Sequence, residues 1–422
     1  MANLYEYQGK ELLKKLGILT PEGEVASSPR KGRSIAEKIG RPVVIKAQIW
    51  VTGRFAAGGV KFAQTPADAE AVCREMLGKE IKGVKVENVL VEEKLVVNKE
   101  FYCGVIINDS CKVKGPVLIF SSKGGTGIEE IAAQYPNEVT RKDVNILRGI
   151  DAHEVETLIG GLPMEADLVE PMSQIVQKIY QAFEKYDLRS LEANPIVLAA
   201  DGKIYAADCH AAIDDSSVFK HPELGIAYPR DIGRYPTELE KVAWQLEKED
   251  FRGTGYFVQM TKEIKPGEGY VGFHGIGGGG AMLGADALIR NGLKIADFAD
   301  TSGNPTASKV YRIVKLIFSQ PNIEGYALMG AVVANQDQWH HANALVRALR
   351  EELAKRPGFP VVLLIAGNKE AESIQILKEG LKKTPAHVEI YGREYVYNVD
   401  YVAERMKTLV EEYRENRKKG GR

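Results

Sequence analysis

The chain has 422 residues, of which 44% are hydrophobic and 27% are charged, and 56 basic against 57 acidic side chains leave a net charge of -1. This length exceeds what a single ordinary core needs, so two or three domains are expected. The near-neutral charge excludes a global basic field for nucleic acid or for an anionic membrane surface.

No segment indicates export or membrane insertion. The apolar runs fall short of the roughly 18–20 residues that a membrane helix needs. The N-terminus predicts an amphipathic helix and has the pattern of neither a signal peptide nor a transit peptide. The four cysteines lack CxxC spacing, which speaks against a zinc site or a disulfide framework. We therefore expect a cytoplasmic protein with no nucleic-acid or membrane partner.

The pattern of apolar residues divides the chain into two α/β halves. Residues 1–240 mix helices and strands irregularly, and the charged, glycine- and proline-containing residues 241–267 are typical of a linker. Residues 268–410 alternate five strands with helices, which predicts a parallel sheet covered on both faces, with ligands at the carboxyl ends of its strands. Residues 411–422 are predicted to be a frayed basic tail.

The first candidate site begins at Lys46, which lies inside the apolar strand RPVVIKAQIW, where an unpaired ammonium group is costly. The next segment, residues 51–59, is a glycine-bearing turn whose amides, together with Arg54, are suited to phosphates. The alternative is a plain hairpin with its lysines on the solvent face. Lys46 alone does not decide between the two.

A second group of polar residues follows two predicted strands. Glu192 and Asn194 are two residues apart and share one face of a strand. Residues 200–202, Ala-Asp-Gly, suit a three-residue hairpin loop, and that register places Asp208 opposite Asn194. An amide and a carboxylate oxygen side by side are ligands that Mg²⁺ uses while it shares ATP oxygens. The alternative is an edge hairpin with its polar residues facing solvent.

Two glutamates mark a third piece of the candidate site. Glu92 ends one apolar strand and Glu100 opens the next after a polar turn. Strand-end backbone groups and a carboxylate at such a joint are suited to adenine and ribose, although glutamates at strand ends are commonplace.

These pieces, in this order, resemble the ATP-grasp half of the succinyl-CoA synthetase β-subunit family, whose start is similar to NLYEYQGKELLKKLGI and whose central loop is similar to SSKGGTGIEEIA. The resemblance spans nearly the whole chain and implies an ATP-grasp fold followed by a flavodoxin-like CoA-ligase domain. Phe55 stands where the family usually has glycine, and Gly127 where it often has glutamate. The resemblance implies ATP contacts and Mg²⁺ ligands at two sets of residues: Lys46, Gly53, Arg54, Phe55, Glu92, Leu95 and Glu100 for ATP, and Asn194 and Asp208 for Mg²⁺.

The same resemblance implies a partner subunit. In this family ATP phosphorylates a histidine of an α-type, CoA-binding subunit, and the phosphate then passes to a carboxylic acid that CoA attacks. No segment of this chain is similar to the companion's GHAGA histidine loop. His274, beside a glycine loop, is either a phosphate carrier or, as we favour, a residue that packs at a strand end.

The glycine loop of the second half is open to two interpretations. Gly275, Gly277 and Gly280 form G-x-G-x-x-G with Asp297 downstream, which is consistent with a dinucleotide site. Glycine amides that lead into a helix N-terminus bind carboxylates as readily as phosphates, so an acid is the other candidate.

The identity of the acid is inferred from the same loop and two later segments. Ile276 stands where succinyl-CoA synthetases have asparagine, which speaks against succinate. The segments TSGNP and VANQD look like those of ATP-citrate lyase and citryl-CoA synthetase, in which a helix start contacts citrate. Two features weaken this prediction: a carboxylate at Asp337, and the lack of an arginine after the fourth strand. The resemblance implies that citrate contacts the following residues: Gly277, Gly278, Gly279, Gly303 and Asn335.

We therefore predict the β-type subunit of a citryl-CoA-forming ligase, with succinate or malate as the alternative acid. A nucleotide-binding regulatory subunit without turnover and a self-contained, amide-forming ATP-grasp ligase are the rivals. His340 and His341, on a predicted long helix, either supply positive charge to the acid or, as we favour, are surface residues.

Overall fold

A computed structural model describes residues 1–51, 53–110, 114–125, 127–226, 234–250, 252–301 and 304–420, apart from the side chains of 332–336 and 420. The chain forms two compact units, Met1–Tyr235 and Pro236–Arg422. Among the described residues, no helix combines the length and the apolar character needed to cross a membrane.

The first unit contains thirteen named strands and six α-helices in its described part. The strands are β1 Ala2–Asn3, β2 Gly23–Ala26, β3 Val43–Ala47, β4 Val60–Ala63, β5 Glu80–Ile81, β6 Val84–Lys85, β7 Val89–Glu93, β8 Val97–Asn108, β9 Gly115–Ser121, β10 Val139–Asp143, β11 Leu188–Ala199, β12 Ile204–Ala206 and β13 His210–Ile213. The helices are α1 Glu6–Lys15, α2 Pro29–Ile39, α3 Pro66–Met76, α4 Ile128–Gln134, α5 Ala152–Gly160 and α6 Ala166–Lys185.

Besides the short β5–β6 pair, two sheets of different size organise this unit. The smaller has the order β2-β7-β3-β4 and is antiparallel, and the larger has the order β1-β13-β11-β8-β9-β10 with β12 paired to β11. Helices α2 and α3 cover one face of the smaller sheet. Each begins where the sequence favours it, with Ser28 or Thr65 as the N-cap and a proline in the first turn.

Strand alternation in the smaller sheet sets up the candidate site. Ile45 and Val91 point into the core beneath α2 and α3. Lys46 and Glu92 lie on neighbouring strands and, because side chains alternate along a strand, point to the opposite face.

The second unit is a seven-stranded sheet with helices. Its strands are β14 Tyr256–Gln259, β15 Tyr270–Ile276, β16 Lys294–Ile295, β17 Asp297–Asp300, β18 Tyr326–Asp337, β19 Pro360–Asn368 and β20 His387–Tyr391. Its helices are α7 Glu238–Glu249, α8 Gly278–Arg290, α9 Ala307–Phe318, α10 Trp339–Leu353, α11 Glu370–Leu381 and α12 Val399–Gly420.

The strand order confirms the predicted parallel sheet. Strands β17-β15-β18-β19-β20 are parallel, and β16 pairs in parallel with β15. This is the flavodoxin-like order, in which the chain places the second strand outside the first. The run PVVLLIAG of β19 is buried throughout, as expected for a strand with helices on both faces.

The predicted linker and tail are wrong. Residues 241–267 contain most of α7 and all of β14, which pairs antiparallel with β17 at the edge of the second sheet. Thr237 caps α7, so the unit boundary lies at Tyr235 and Pro236 rather than after residue 240. Residues 411–420 continue α12, because Val410 and earlier residues anchor one face of that helix in a core. The last two residues lie outside the described part.

Candidate functional site

A cluster of charged side chains is buried in the first unit, above the smaller sheet. It contains three acids and three bases, so its formal charge is zero. Its members come from five separate segments of the chain: Glu6 and Lys10 of α1, Lys46 of β3, Arg54 of the β3–β4 loop, Glu92 of β7, and Asp208 after β12.

Lys46 is held by two carboxylates and a backbone carbonyl. Its Nζ lies 2.8 Å from Glu6 Oε1 and 2.6 Å from Glu92 Oε1, and it donates to the Ala207 carbonyl at 2.7 Å. Burial alone would lower the pKa of Lys46, but the carboxylates of Glu6, Glu92 and Asp208 raise it above its usual value. The ammonium group is therefore charged at neutral pH, and the solvent-exposed hairpin alternative is wrong.

Arg54 joins the β3–β4 loop to the end of the β11–β12 hairpin. Its Nη2 donates to both carboxylate oxygens of Asp208 at 2.9 Å, and its Nη1 lies 2.9 Å from Glu6 Oε2. The neighbouring Gly53 has a φ of 66°, and Phe55 is 68% exposed. The loop thus directs Arg54 inward and Phe55 outward.

Glu6 and Lys10 are site residues that the sequence did not reveal. Lys10 Nζ lies 2.8 Å from Glu6 Oε1 and 2.6 Å from Glu92 Oε2. An acid and a base four residues apart on a helix are commonly a solvent-facing pair. One feature of the sequence could have revealed them. Glu6 and Lys10 share an i, i+4, i+7 stripe with the buried Leu13, which places both on the buried face of the helix.

The hairpin predicted around residues 200–202 is confirmed. Strands β11 and β12 pair Ile196 with Ala206 and Leu198 with Ile204. Ala207 N donates to the Pro195 carbonyl at 3.0 Å, and this register brings Asp208 opposite Asn194.

Asn194 also contacts the central glycine loop. Its Oδ1 accepts from Gly125 N at 3.0 Å, and its Nδ2 donates to Glu192 Oε1 at 3.2 Å. Gly125 has a φ of +86°, and a side chain there would overlap the carboxylate of Glu100. The loop therefore packs directly on Glu100 and Asn194, two of the predicted site residues.

The three other predicted ATP contacts, Glu92, Glu100 and Leu95, differ in how far they are buried. Glu92 is 1% exposed and pairs with Lys10 and Lys46, so its carboxylate does not face open space, whereas Glu100 is half-buried. Leu95 is also half-buried, between β7 and β8.

A divalent cation is compatible with the donors at Asn194 and Asp208. Both are hard oxygen donors, Asn194 in β11 and Asp208 in the segment between β12 and β13, and Asp208 is 22% exposed. Mg²⁺ in ATP sites takes one or two protein ligands and completes its shell with phosphate oxygens and water. Within the described ranges, no group of three or more His, Cys, Asp or Glu residues is arranged to hold a metal by itself.

In the second unit, the glycine loop lies at the carboxyl end of β15. Gly277 has a φ of 80° and precedes α8, and a side chain at Gly278 or Gly279 would meet nothing within 4 Å. Ile276 is buried in the core and does not enter this space.

The dinucleotide and phosphate-carrier interpretations do not fit the buried residues. Asp297 is fully buried, accepts from Gln320 Nε2 at 2.6 Å, and has its pKa raised well above the usual value by burial. His274 is fully buried between Tyr326 Oη and Thr301 Oγ1, each at 2.6 Å. His274 therefore packs at the strand end, as we favoured.

Three predictions for the acid site meet limits or corrections. Gly303 and the side chain of Asn335 lie outside the described residues. The helix predicted to begin near Asn335 begins instead at Trp339, because β18 continues to Asp337. His341 is 1% exposed, so its interpretation as a surface residue is wrong.

Two cations lie where β19 ends. A cavity of about 470 Å³ is lined by residues that include Gly367, Lys369, Glu370 and Arg393. Arg393 donates to the Gly367 carbonyl at 3.0 Å and to Glu370 Oε2 at 2.8 Å. Arg393, which follows the fifth strand, thus places a guanidinium beside the end of the fourth.

Comparison with known proteins identifies the family. Residues 3–198 match the family model of an ATP-grasp domain. The chain is 35% identical to the β-subunit of GDP-forming succinate–CoA ligase from Thermus thermophilus over 379 residues, which cover 89% of this chain and 93% of that protein. The chain belongs to the succinate–CoA ligase β-subunit family.

A further member of the family and one solved structure are also similar to this chain. The β-subunit 2 of ADP-forming succinate–CoA ligase from Archaeoglobus fulgidus is 33% identical over 90% of this chain and 94% of its own. The ATP citrate lyase structure from Methanothrix soehngenii, in complex with citrate and coenzyme A, has a TM-score of 0.76 at 20% identity and covers 96% of this chain and 99% of that one. The latter similarity supports the ATP-grasp and flavodoxin-like fold.

One glycine substitution tests the central loop of this ligase-family chain. Gly125→Ala is expected to lower the rate at which ATP phosphorylates the expected partner subunit by about 10- to 100-fold. The new methyl group would displace Glu100 and the loop that holds Asn194. The matched control is Gly127→Ala, whose φ is -63° and whose nearest contact would be 3.6 Å away. Equal rates for the two variants would contradict a close role for the loop.

Proposed function

We propose that this chain is the β-type subunit of an ATP-dependent acid–CoA ligase. In this proposal the first unit binds ATP and Mg²⁺, and the second unit binds the acid. The γ-phosphate passes to a histidine of an α-type partner subunit, which also binds CoA. The observation that carries the proposal is the neutral cluster, in which Lys46 and Arg54 remain cationic at the positions predicted for ATP phosphates.

The chemistry assigned to the first unit is electrostatic. Phosphoryl transfer spreads negative charge over phosphate oxygens, and fixed cations stabilise that charge. When ATP binds, its phosphates replace carboxylates as partners of Lys46 and Arg54. Mg²⁺ at Asn194 and Asp208 would neutralise further phosphate charge. Glu100, which is less enclosed than Glu92, is the carboxylate left for the ribose.

The partner's phosphohistidine then activates the acid. A carboxylate is a poor electrophile until one of its oxygens becomes part of a phosphate leaving group. The histidine's phosphoryl group moves to a carboxylate oxygen, the CoA thiol attacks the acyl carbon, and phosphate leaves with the electron pair. The net products are acyl-CoA, ADP and phosphate.

We propose citrate as the acid. The support is the open glycine loop after β15, together with the cations Lys369 and Arg393 at the end of β19. These cations are paired with Glu372 and Glu370, so citrate would have to displace those carboxylates. Asp337, which would repel such a ligand, has Lys369 as an electrostatic partner and accepts from Trp339 Nε1 at 3.2 Å.

Succinate is the second candidate, with malate as a further dicarboxylate. It is favoured by sequence similarity, since the relatives at 33–35% identity are named succinate–CoA ligases. A regulatory subunit without turnover is disfavoured, because a subunit that does no chemistry has no need of the Mg²⁺ ligands proposed at Asn194 and Asp208. Phosphorylation of a partner histidine would exclude an amide-forming ATP-grasp ligase.

The test is to co-express the chain with its α-type partner and to measure CoA-dependent ADP release with citrate, succinate and malate. We expect release with citrate, and ATP-dependent phosphorylation of the partner in the absence of any acid. Release with succinate but not citrate would overturn the acid assignment. Absence of partner phosphorylation would overturn the ligase assignment itself.

A further inference from the structure

A buried histidine in the second unit, His341, forms no hydrogen bond with the part of the chain that the structure describes. His341 lies in the first turn of α10 and is 1% exposed. Neither Nδ1 nor Nε2 has a hydrogen-bond partner among the residues that the structure describes. The backbone of Thr301 is close enough to the ring to raise the pKa of His341, but the contact does not have the geometry of a hydrogen bond. Buried polar atoms are nearly always paired, so an unpaired imidazole calls for an explanation.

The position of His341 suggests that explanation. Thr301 directly follows β17, and its N donates to the Gly275 carbonyl at 3.2 Å. Its hydroxyl is bonded to His274, whose pKa burial and the nearby His341 lower to about 3. Thus His341 lies at the carboxyl ends of β15 and β17, where the glycine loop begins.

The third element at this edge is the end of β18. The first turn of α8 approaches it so closely that a side chain on Gly280 would lie 3.2 Å from Ala331 N. The loop after β15, the segment after β17 and the end of β18 therefore converge around the start of α10. Ligands of parallel sheets bind at such convergent carboxyl ends.

We infer that His341 is a specificity-determining residue that donates a hydrogen bond from its imidazole to a carboxylate oxygen of the bound acid. The inference rests on the proposed function, in that it places the acid in the second unit. Burial lowers the pKa of His341 to about 4, so the ring is neutral at neutral pH and has one N–H to donate. A neutral donor binds a carboxylate without adding a buried charge.

This inference separates binding from stability. If His341 stabilised the fold, its replacement by an apolar side chain would lower the stability of the chain. If His341 instead binds a ligand, the replacement would not lower that stability, because it removes an unpaired buried polar group. His341→Leu is therefore expected to leave the thermal midpoint of the chain unchanged or raised, while KM for the acid rises about 10- to 100-fold, the effect of losing one hydrogen bond to a charged group.

The experiment uses the complex with its α-type partner and measures KM for citrate, succinate and ATP, together with ATP-dependent phosphorylation of the partner. His341→Leu should change KM only for the acid, and His341→Gln, which keeps an N–H donor, should restore part of the affinity. His340→Leu is the matched control, because His340 is only half-buried and stacks on Trp339.

The outcomes distinguish the inference from the proposed function. An unchanged KM for the acid in His341→Leu, or a loss of thermal stability that accompanies and explains the change, would overturn the role of His341. Normal partner phosphorylation in the variants shows that the nucleotide half of the function stands. If the unsubstituted complex neither phosphorylates its partner nor responds to any acid, the proposed function fails first and the inference with it.

Discussion

Replacing Glu6 by alanine is expected to lower the free energy of unfolding of the first unit by about 3–5 kcal/mol, the cost of removing one partner from a buried ion pair. Glu6 contacts Lys10, Lys46 and Arg54, all nearly fully buried. Without it, three cations share the two remaining carboxylates in a medium that solvates charge poorly. The measurement is urea unfolding, followed by hydrogen exchange of β3 and β7 peptides.

Glu11→Ala is the matched control, because Glu11 is on the same helix and its side chain is 57% exposed in an i,i+3 pair with Lys14. Its effect is expected to stay within about 0.5 kcal/mol. If both substitutions destabilise the unit equally, the effect comes from helix propensity and the charged cluster is not a stabilising element.

The pH dependence of the free energy of unfolding gives an independent test of Glu6. Burial would raise the pKa of Glu6, but Lys10, Lys46 and Arg54 lower it well below its ordinary value of 4.5. A carboxylate with a lowered pKa in the folded state contributes stability above pH 4.5, and this stability is lost as the pH falls further. The unsubstituted chain should therefore lose stability below that pH more steeply than Glu6→Gln.

Replacing Asp208 by asparagine is expected to reduce ATP-dependent phosphorylation of the partner by about 10²- to 10³-fold, which is typical for loss of one group that stabilises developing charge. Asparagine keeps the shape and one oxygen, but it removes the negative charge that pairs with Arg54 and that would ligate Mg²⁺ in the proposed site. The first unit should remain folded, since Asp208 is at the edge of the cluster with 22% exposure.

The dependence on Mg²⁺ concentration decides which role of Asp208 matters. If Asp208 ligates the metal, the variant should need about 10- to 100-fold more Mg²⁺ for half-maximal rate. If Asp208 only orients Arg54, the rate should fall at every Mg²⁺ concentration, and the Mg²⁺ concentration that gives half-maximal rate should not change. Asp201→Asn, in the loop of the same hairpin and exposed, is the control and should behave as the unsubstituted chain does.

The charged cluster also bears on the proposed binding of ATP phosphates. Cations buried without anions would repel one another. Glu6 and Glu92 supply the opposite charges and keep Lys46 in place. ATP would then exchange partners within a preformed, neutral network, which avoids the reorganisation that a collapsed site would require.

Much of this protein was determined by the sequence alone, because the signals are local. Apolar runs alternating with capped helices predicted the parallel sheet, and Ala-Asp-Gly at residues 200–202 predicted the hairpin register that brings Asp208 opposite Asn194. Lys46 stood out because a lysine in an apolar strand needs a partner, although the sequence did not say which.

The tertiary structure decided the partners. Glu6 lies 40 residues from Lys46, and Lys10 lies 82 residues from Glu92, so no local pattern links either pair. The sequence around the antiparallel strand β14 was interpreted as a linker because charged residues and glycines flank it. The strand has only four residues, and its pairing with β17 stabilises it. His341 is buried because α10 packs against the core. Arg393, which follows β20, contacts Gly367 at the end of the neighbouring strand β19. Sequence periodicity fixes which residues share a face, but burial and charge pairing depend on which faces meet, and long-range packing determines that.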